Sequence, residues 1–206
     1  MNAAALIELV SPLRGRALPR DHRWALTRAL CEALPALGDD PLAAVHPVRL
    51  VHGAGEPALL SARSRLVLRV SREAAAAAQA LAGRTLDVGG CEIGLGAPQR
   101  RELLPHTTLY AHFVDAGAAD PGDEAGFLAA MGDELARLEV RCQRVCGREQ
   151  RLRGPQRTLH GYSLMLHGLR EAGSLRILER GLGAHRLMGC GVFVPHKSAA
   201  AVGEID

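Results

Sequence analysis

SRLVLRVSREAAAAAQAL, residues 64–81, carries two backbone periodicities back to back. From Ser64 to Val70, Leu66, Leu68 and Val70 alternate with Arg65, Val67 and Arg69, the period-two pattern of a strand. Ser71 then offers a hydroxyl N-cap to an alanine-rich helix running through Leu81. The flanking sequence extends this strand-to-helix unit both ways. Upstream, Ala3–Val10 is apolar but for one glutamate and reads as a strand with both faces largely covered. Asp21 caps a helix in which Trp24, Leu26, Ala29, Leu30, Ala33 and Leu34 keep near-helical spacing until Pro35. Val45–His52 reads as a further strand, separated from Ser64–Val70 by turns at Gly53, Gly55 and Pro57. Downstream, Thr85–Val88 and Cys91–Leu95 flank Gly89 and Gly90 as a hairpin or one bent strand. The order is β-α-β-β-α-β.

The same order recurs after Pro105. Thr107–Val114 is strand-like, and Asp123–Leu138 is helical with Phe127, Leu128, Met131, Leu135 and Leu138 on one face. Arg141–Cys146 and Thr158–Leu166 read as strands joined by an Arg-rich connection. Ala172–Leu178 is a short helix, followed by a glycine-rich turn and a final strand, Met188–Val194. Both halves fit the split βαβ arrangement, so the expected fold is α+β: two tandem ferredoxin-like domains, residues 1–103 and 104–206. The halves share element order but no visible sequence repeat.

Composition narrows the function. At 206 residues, 48% hydrophobic and 23% charged, the chain is expected to be globular and not disordered. No apolar run reaches the roughly 18 to 20 residues that cross a bilayer, and Met1–Val10 lacks signal-peptide features, so the expectation is a cytoplasmic protein without a membrane partner. Five cysteines read as reduced thiols. Aromatics at 3% argue against a stacking platform on an open sheet. Charge is unevenly spread: residues 103–140 hold one Arg against seven acids, whereas residues 141–197 hold ten Arg and Lys197 against three acids. Arg141, Arg144, Arg148, Arg151, Arg153 and Arg157 surround the middle connection of the second half. They suit the phosphates of an A-form RNA stem, a solvated charged loop being the bland alternative.

GLGAHRLMGCGVFVPHK, Gly181–Lys197, joins Gly181, Gly183, Gly189 and Gly191 to His185, Arg186, His196 and Lys197. Glycines admit positive φ and close approach, and successive N–H groups in such turns form an anion nest suited to a phosphate backbone. A tight helix-to-strand connection in which glycine solves only a packing problem is the competing reading. A dinucleotide site does not fit, because these glycines follow a helix and precede a strand. Cys142 and Cys146, with Cys190 and His196, are conceivable zinc ligands by type. Strand spacing holds the first two too far apart for easy chelation, so no metal and no cofactor is expected.

The segment SLRILERGLGAHRLMGCGVFVPHK, residues 174–197, resembles the carboxy-terminal glycine-rich loop of the CRISPR repeat-processing endoribonucleases of the RAMP superfamily, particularly a subfamily first described in myxobacteria. LPRDHRWAL (18–26), VHPVRL (45–50), LAGRTLDVGG (81–90) and LLPHTTLYAHFV (103–114) extend the resemblance over most of the chain. It implies tandem ferredoxin-like domains and metal-independent cleavage of precursor CRISPR RNA by 2′-OH attack, leaving 2′,3′-cyclic phosphate and 5′-OH ends. Its implied partners are precursor and mature CRISPR RNA and other effector subunits.

In such proteins a histidine between the first helix and second strand moves protons, a place that His46 occupies; a strand-entry histidine bonded to backbone is the alternative. His22 is the second candidate, at a helix start where the dipole favours neutral imidazole. Some relatives carry a histidine just after the first helix, where PALGDD places Gly38, so the active histidine stays open between His46 and His22. Lys197 and Arg186 would stabilise charge on the scissile phosphate. Gly181, Gly183, His185, Arg186, Gly189, Gly191, Arg148, Arg151, Arg153 and Arg157 form the expected RNA surface. A catalytically weak crRNA-binding subunit is the alternative function, and a protein-interaction module a more remote one.

Overall fold

The computed structural model describes residues 4–53 and 55–196. The chain forms two compact units: one of residues 1–103 joined by Arg153–Pro155 and Arg186–Gly189, the other of the remaining residues from Leu104 onward.

The first unit contains β1 (Leu6–Arg14), β2 (Ala17–Leu18), α1 (Arg23–Ala33), α2 (Ala36–Asp39), β3 (Ala44–Val45), β4 (Ala58–Leu59), β5 (Arg65–Ser71), α3 (Ala75–Gln79), β6 (Thr85–Asp87), β7 (Glu92–Leu95) and β8 (Gln99–Glu102). Strand β1 lies at the centre, antiparallel to β5 on one side and β8 on the other, and β5 carries β3 at its outer edge. Ile7 and Leu9 point from β1 into a core with Leu66, Leu68 and Val70 of β5, Leu26 and Leu30 of α1, and Ala75 and Ala78 of α3. Alternation sends Leu6 and Glu8 to the opposite face. Both are buried there as well.

Two strand assignments require correction in this unit. Of Val45–His52 only Val45 enters the ladder, because Pro47 has no N–H to donate and the N–H of Val48 goes to the His22 ring. The Thr85–Leu95 hairpin forms as β6 paired with β7, but β7 meets β1 only at Leu13 and Arg14, the end of that strand, and so is not the neighbour of its centre. The central residues of β1 pair instead with β8, whose Gln-Arg-Arg-Glu sequence is exposed throughout and has no apolar alternation to announce it.

The second unit contains β9 (Thr108–Asp115), α4 (Glu124–Arg137), β10 (Gln143–Arg153), β11 (Thr158–His167), α5 (Glu171–Arg180), a 3₁₀ turn (Arg186–Met188, counted with the first unit) and β12 (Val194–Pro195). Its sheet runs β10-β11-β9-β12. Asp123 caps α4 by accepting from the Gly126 N–H at 2.8 Å, and Gly181 ends α5 at φ 66°. Leu109, Ala111 and Phe113 of β9, with Leu164 and Leu166 of β11, are fully buried.

Two further corrections arise here. The Arg-rich stretch after Cys146 is no loop but the body of β10, an 11-residue edge strand, where solvent contact lets charged residues stand in a ladder. The final strand does not begin at Met188: only Val194 and Pro195 pair with β9, opposite Tyr110 and Leu109. Gly189 and Gly191 hold positive φ and keep the preceding chain out of the ladder.

Candidate functional site

His46 follows β3, and its N–H bonds to Val67 O at 2.9 Å. Its Nε2 lies 3.1 Å from Glu8 Oε1, with only 12% of the His46 side chain exposed. Glu8 stands opposite Arg69 of β5 and Arg101 of β8 in the ladder, so both guanidiniums converge on one carboxylate. Arg69 Nη2 donates to Oε1 at 2.6 Å and Arg101 Nε to Oε2 at 2.8 Å. Burial alone would raise the Glu8 carboxyl, but hydrogen bonding from His46 and Arg69 and the Arg69 charge outweigh it and hold the group well below the usual carboxylate range. Burial pushes His46 below the ordinary histidine value, against an upward pull from Glu8. The result is a neutral imidazole beside an ionised carboxylate. Glu8 is visible in the sequence as the lone acid in an apolar strand, but its partners lie 61 and 93 residues away.

His22 uses both ring nitrogens on backbone. Val48 N–H donates to Nε2 at 3.1 Å, which places the proton on Nδ1, 3.1 Å from Pro19 O. Burial lowers its pKa. The ring pins the chain after His46 to the start of α1.

The glycine-rich segment directs its amides inward. Gly181 N–H bonds to Ile177 O, Gly189 N–H to Arg186 O, and Gly191 N–H to Phe113 O. Gly183 N–H meets a carboxylate, Glu134 Oε2 of α4, at 2.8 Å. Packing adds a separate requirement. A Cβ on Gly191 would overlap Leu182 O, and one on Gly189 would stand 2.7 Å from Pro47 Cδ and 2.9 Å from Val45 O. The turn is thereby seated against the residues on either side of His46. Arg186 Nη2 donates to Leu42 O at 2.9 Å. His185, at φ 63°, places Nε2 3.4 Å from Oδ2 of the buried Asp115.

Arg148, Arg151 and Arg153 are exposed along β10, and Arg157 is exposed in the turn that follows. Arg144 leaves this series by folding over α4, where Gly132 has no side chain to obstruct it, and donating to Leu128 O at 3.0 Å. Burial raises the Cys142 thiol and pushes that of Cys146 up to about 11, with Glu124 adding to the latter. Lys197 lies outside the described residues. No helix among the described residues is long and apolar enough to cross a membrane.

A family model described as Cas6 Crispr matches residues 7–198. The CRISPR-associated endonuclease Cas6 of Myxococcus xanthus (strain DK1622) is 36% identical over 201 residues, 98% of this chain and 86% of that protein. A solved structure of a CRISPR associated protein Cas6 superposes with a TM-score of 0.67 at 12% identity, covering 93% of this chain and 99% of that one. Thermus thermophilus Cse3, solved bound to an RNA representing a pre-cleavage complex, gives 0.54 at 16% identity, over 92% and 98%. Identities this low bear on the fold alone.

Proposed function

The chain belongs to the Cas6 family, and from that premise we propose that it is a CRISPR-associated endoribonuclease that binds the repeat stem of precursor CRISPR RNA and cleaves it without metal. The observation that carries this reading is the 36% identity to an endonuclease over nearly the whole chain. We read residues 1–103 and 104–206 as tandem ferredoxin-like domains, supported by the interleaved orders β8-β1-β5-β3 and β12-β9-β11-β10.

In this mechanism the 2′-OH attacks the adjacent phosphorus in line, the P–O5′ bond breaks, and the products carry a 2′,3′-cyclic phosphate and a 5′-OH. His46 removes the 2′-OH proton, and the departing O5′ takes a proton from solvent water to become the 5′-OH. The Glu8 carboxylate favours a proton on Nε2, leaving the lone pair on Nδ1, and burial keeps the ring neutral and ready to accept. The Gly189 turn packed around Val45 and Pro47 supports this choice over His22. Lys197 stabilises charge developing on the phosphate. Arg148, Arg151, Arg153, Arg157 and His185 hold the RNA through side chains. The glycines at 181, 183, 189 and 191 shape that surface, and Arg186 braces it.

The small exposure of His46 favours a second reading, a crRNA-binding subunit with little cleavage of its own. Labelled repeat RNA incubated in EDTA separates the two. Cyclic-phosphate product that falls by about 10²-fold or more in His46→Ala, with RNA affinity kept, supports the nuclease reading. Tight binding without product supports the second. Cutting that stops in EDTA and returns with magnesium rejects the metal-free mechanism.

A further inference from the structure

Of the six Phe, Trp and Tyr residues in the chain, Phe113, Phe127, Phe193 and Tyr162 are buried. Tyr110 is different. It sits at the middle of β9, a central strand of the second unit's sheet, and alternation turns it away from the buried Leu109 and Ala111. Its ladder partners are Met165 on β11 and Val194 on β12. Two further rings gather around it: His112 at 4.9 Å between centroids, nearly perpendicular, and His196 at 5.4 Å, tilted by 48°. His112 and His196 are exposed and Tyr110 and Met165 half-buried. Trp24, also half-buried, lies on α1 of the first unit, so at this place one tyrosine is joined by two imidazoles.

Charge indicates what such a surface takes. Tyr110, His112, Met165, Val194 and His196 include no carboxylate. Gln150 Nε2 donates to His112 O at 2.7 Å, which brings β10 alongside; exposed Arg148 and Arg151 lie to either side of that glutamine in sequence, and alternation puts them on opposite faces of the edge strand, so one of the two borders the platform. Rings for bases beside guanidiniums for phosphates are the two components of single-strand recognition.

We propose that Tyr110, with His112 and His196, forms a stacking platform for unpaired RNA nucleotides flanking the repeat stem. This rests on the proposed RNA function and adds a second, single-stranded contact to it. Stem binding through arginines reads phosphates, whereas this platform reads exposed base faces and is indifferent to a blunt duplex.

The test compares two fluorescein-labelled RNAs, a blunt G·C-paired hairpin and the same hairpin extended by about eight unpaired adenosines. The parent is expected to bind the extended RNA more tightly. Tyr110→Ala is expected to lose roughly 5- to 150-fold of that advantage while binding the blunt hairpin as before, with Tyr110→Phe restoring it. His112→Ala, at an exposed position, is expected to lose part of it, and thermal melting checks each variant. Equal binding of both RNAs by the parent, or an unchanged advantage in folded Tyr110→Ala and His112→Ala, overturns the platform. Failure of the parent to bind either hairpin or repeat RNA overturns the RNA function itself.

Discussion

The two buried imidazoles are coupled to pH in a direction that their surroundings dictate. Burial holds His22 and His46 below the ordinary histidine value, so the folded chain prefers both neutral while the unfolded chain protonates them near pH 6.5. Between the folded and unfolded values the unfolded state binds more protons, and stability rises with pH. Their contribution is complete above about pH 6.5 and is lost as pH falls below it. Glu8 acts lower: its depressed carboxyl contributes above the free-carboxyl range near pH 4.3, and that contribution goes as pH drops towards its folded value. Melting temperature against pH is therefore expected to fall in two acid steps. His22→Gln should flatten the first step and leave the second. It should also lower stability at pH 7, because Val48 N–H loses its partner. A curve flat between pH 5 and 7.5 in the parent would contradict this account. The pairing of Glu8 with Arg69 and Arg101 is illegible in sequence because it depends on strand register, which local patterns do not encode.

Strand β10 shows how exposure governs both function and legibility. Its arginines stand in a ladder at the sheet edge at a fixed spacing, the spacing that the proposed function sets along an RNA backbone. Charge reversal at Arg151 and Arg153 is expected to weaken stem binding and make log affinity fall less steeply with log salt, the slope changing by about one for each phosphate that is no longer neutralised. Titrations between 50 and 200 mM salt test it, and an unchanged slope in the folded double variant would place the stem elsewhere. Helices α1, α4 and α5 are readable because each buries one face: Phe127, Met131 and Leu135 repeat at helical spacing along α4. Strand β8 is not, and β10 is read only as far as Cys146, since an edge strand of Gln, Arg and Glu carries the composition of a loop. The stretch before β12 misleads for the opposite reason. Its apolar residues, among them Met188, Val192 and Phe193, suggest a strand but are buried without ladder pairing, in a turn shaped by glycine.

At the scale of the whole molecule, the first unit is not contiguous in sequence. Element order places a boundary near Leu103, and nothing in residues 1–103 signals that four residues from beyond position 185 complete the unit. Leu187 packs against its core, Thr27 Oγ1 donates to Leu187 O at 2.7 Å, and Arg186 reaches Leu42 O. A chain emerging from the ribosome therefore cannot finish its first unit when Glu102 appears. It must wait for Gly189, roughly 4 to 17 s later at ordinary translation speeds. During that interval the seat on Thr27, Leu42 and Pro47 stands unfilled. Nascent chains arrested with residues 1–120 outside the tunnel are expected to be cut readily by protease within the first unit, and chains arrested with residues 1–196 outside the tunnel to resist. Equal resistance at both lengths would mean that the late-made turn docks onto a unit already closed. Otherwise the histidine-bearing strand end is secured only once Gly189 has been made, so a product truncated before it would reach the cell with that region unsupported.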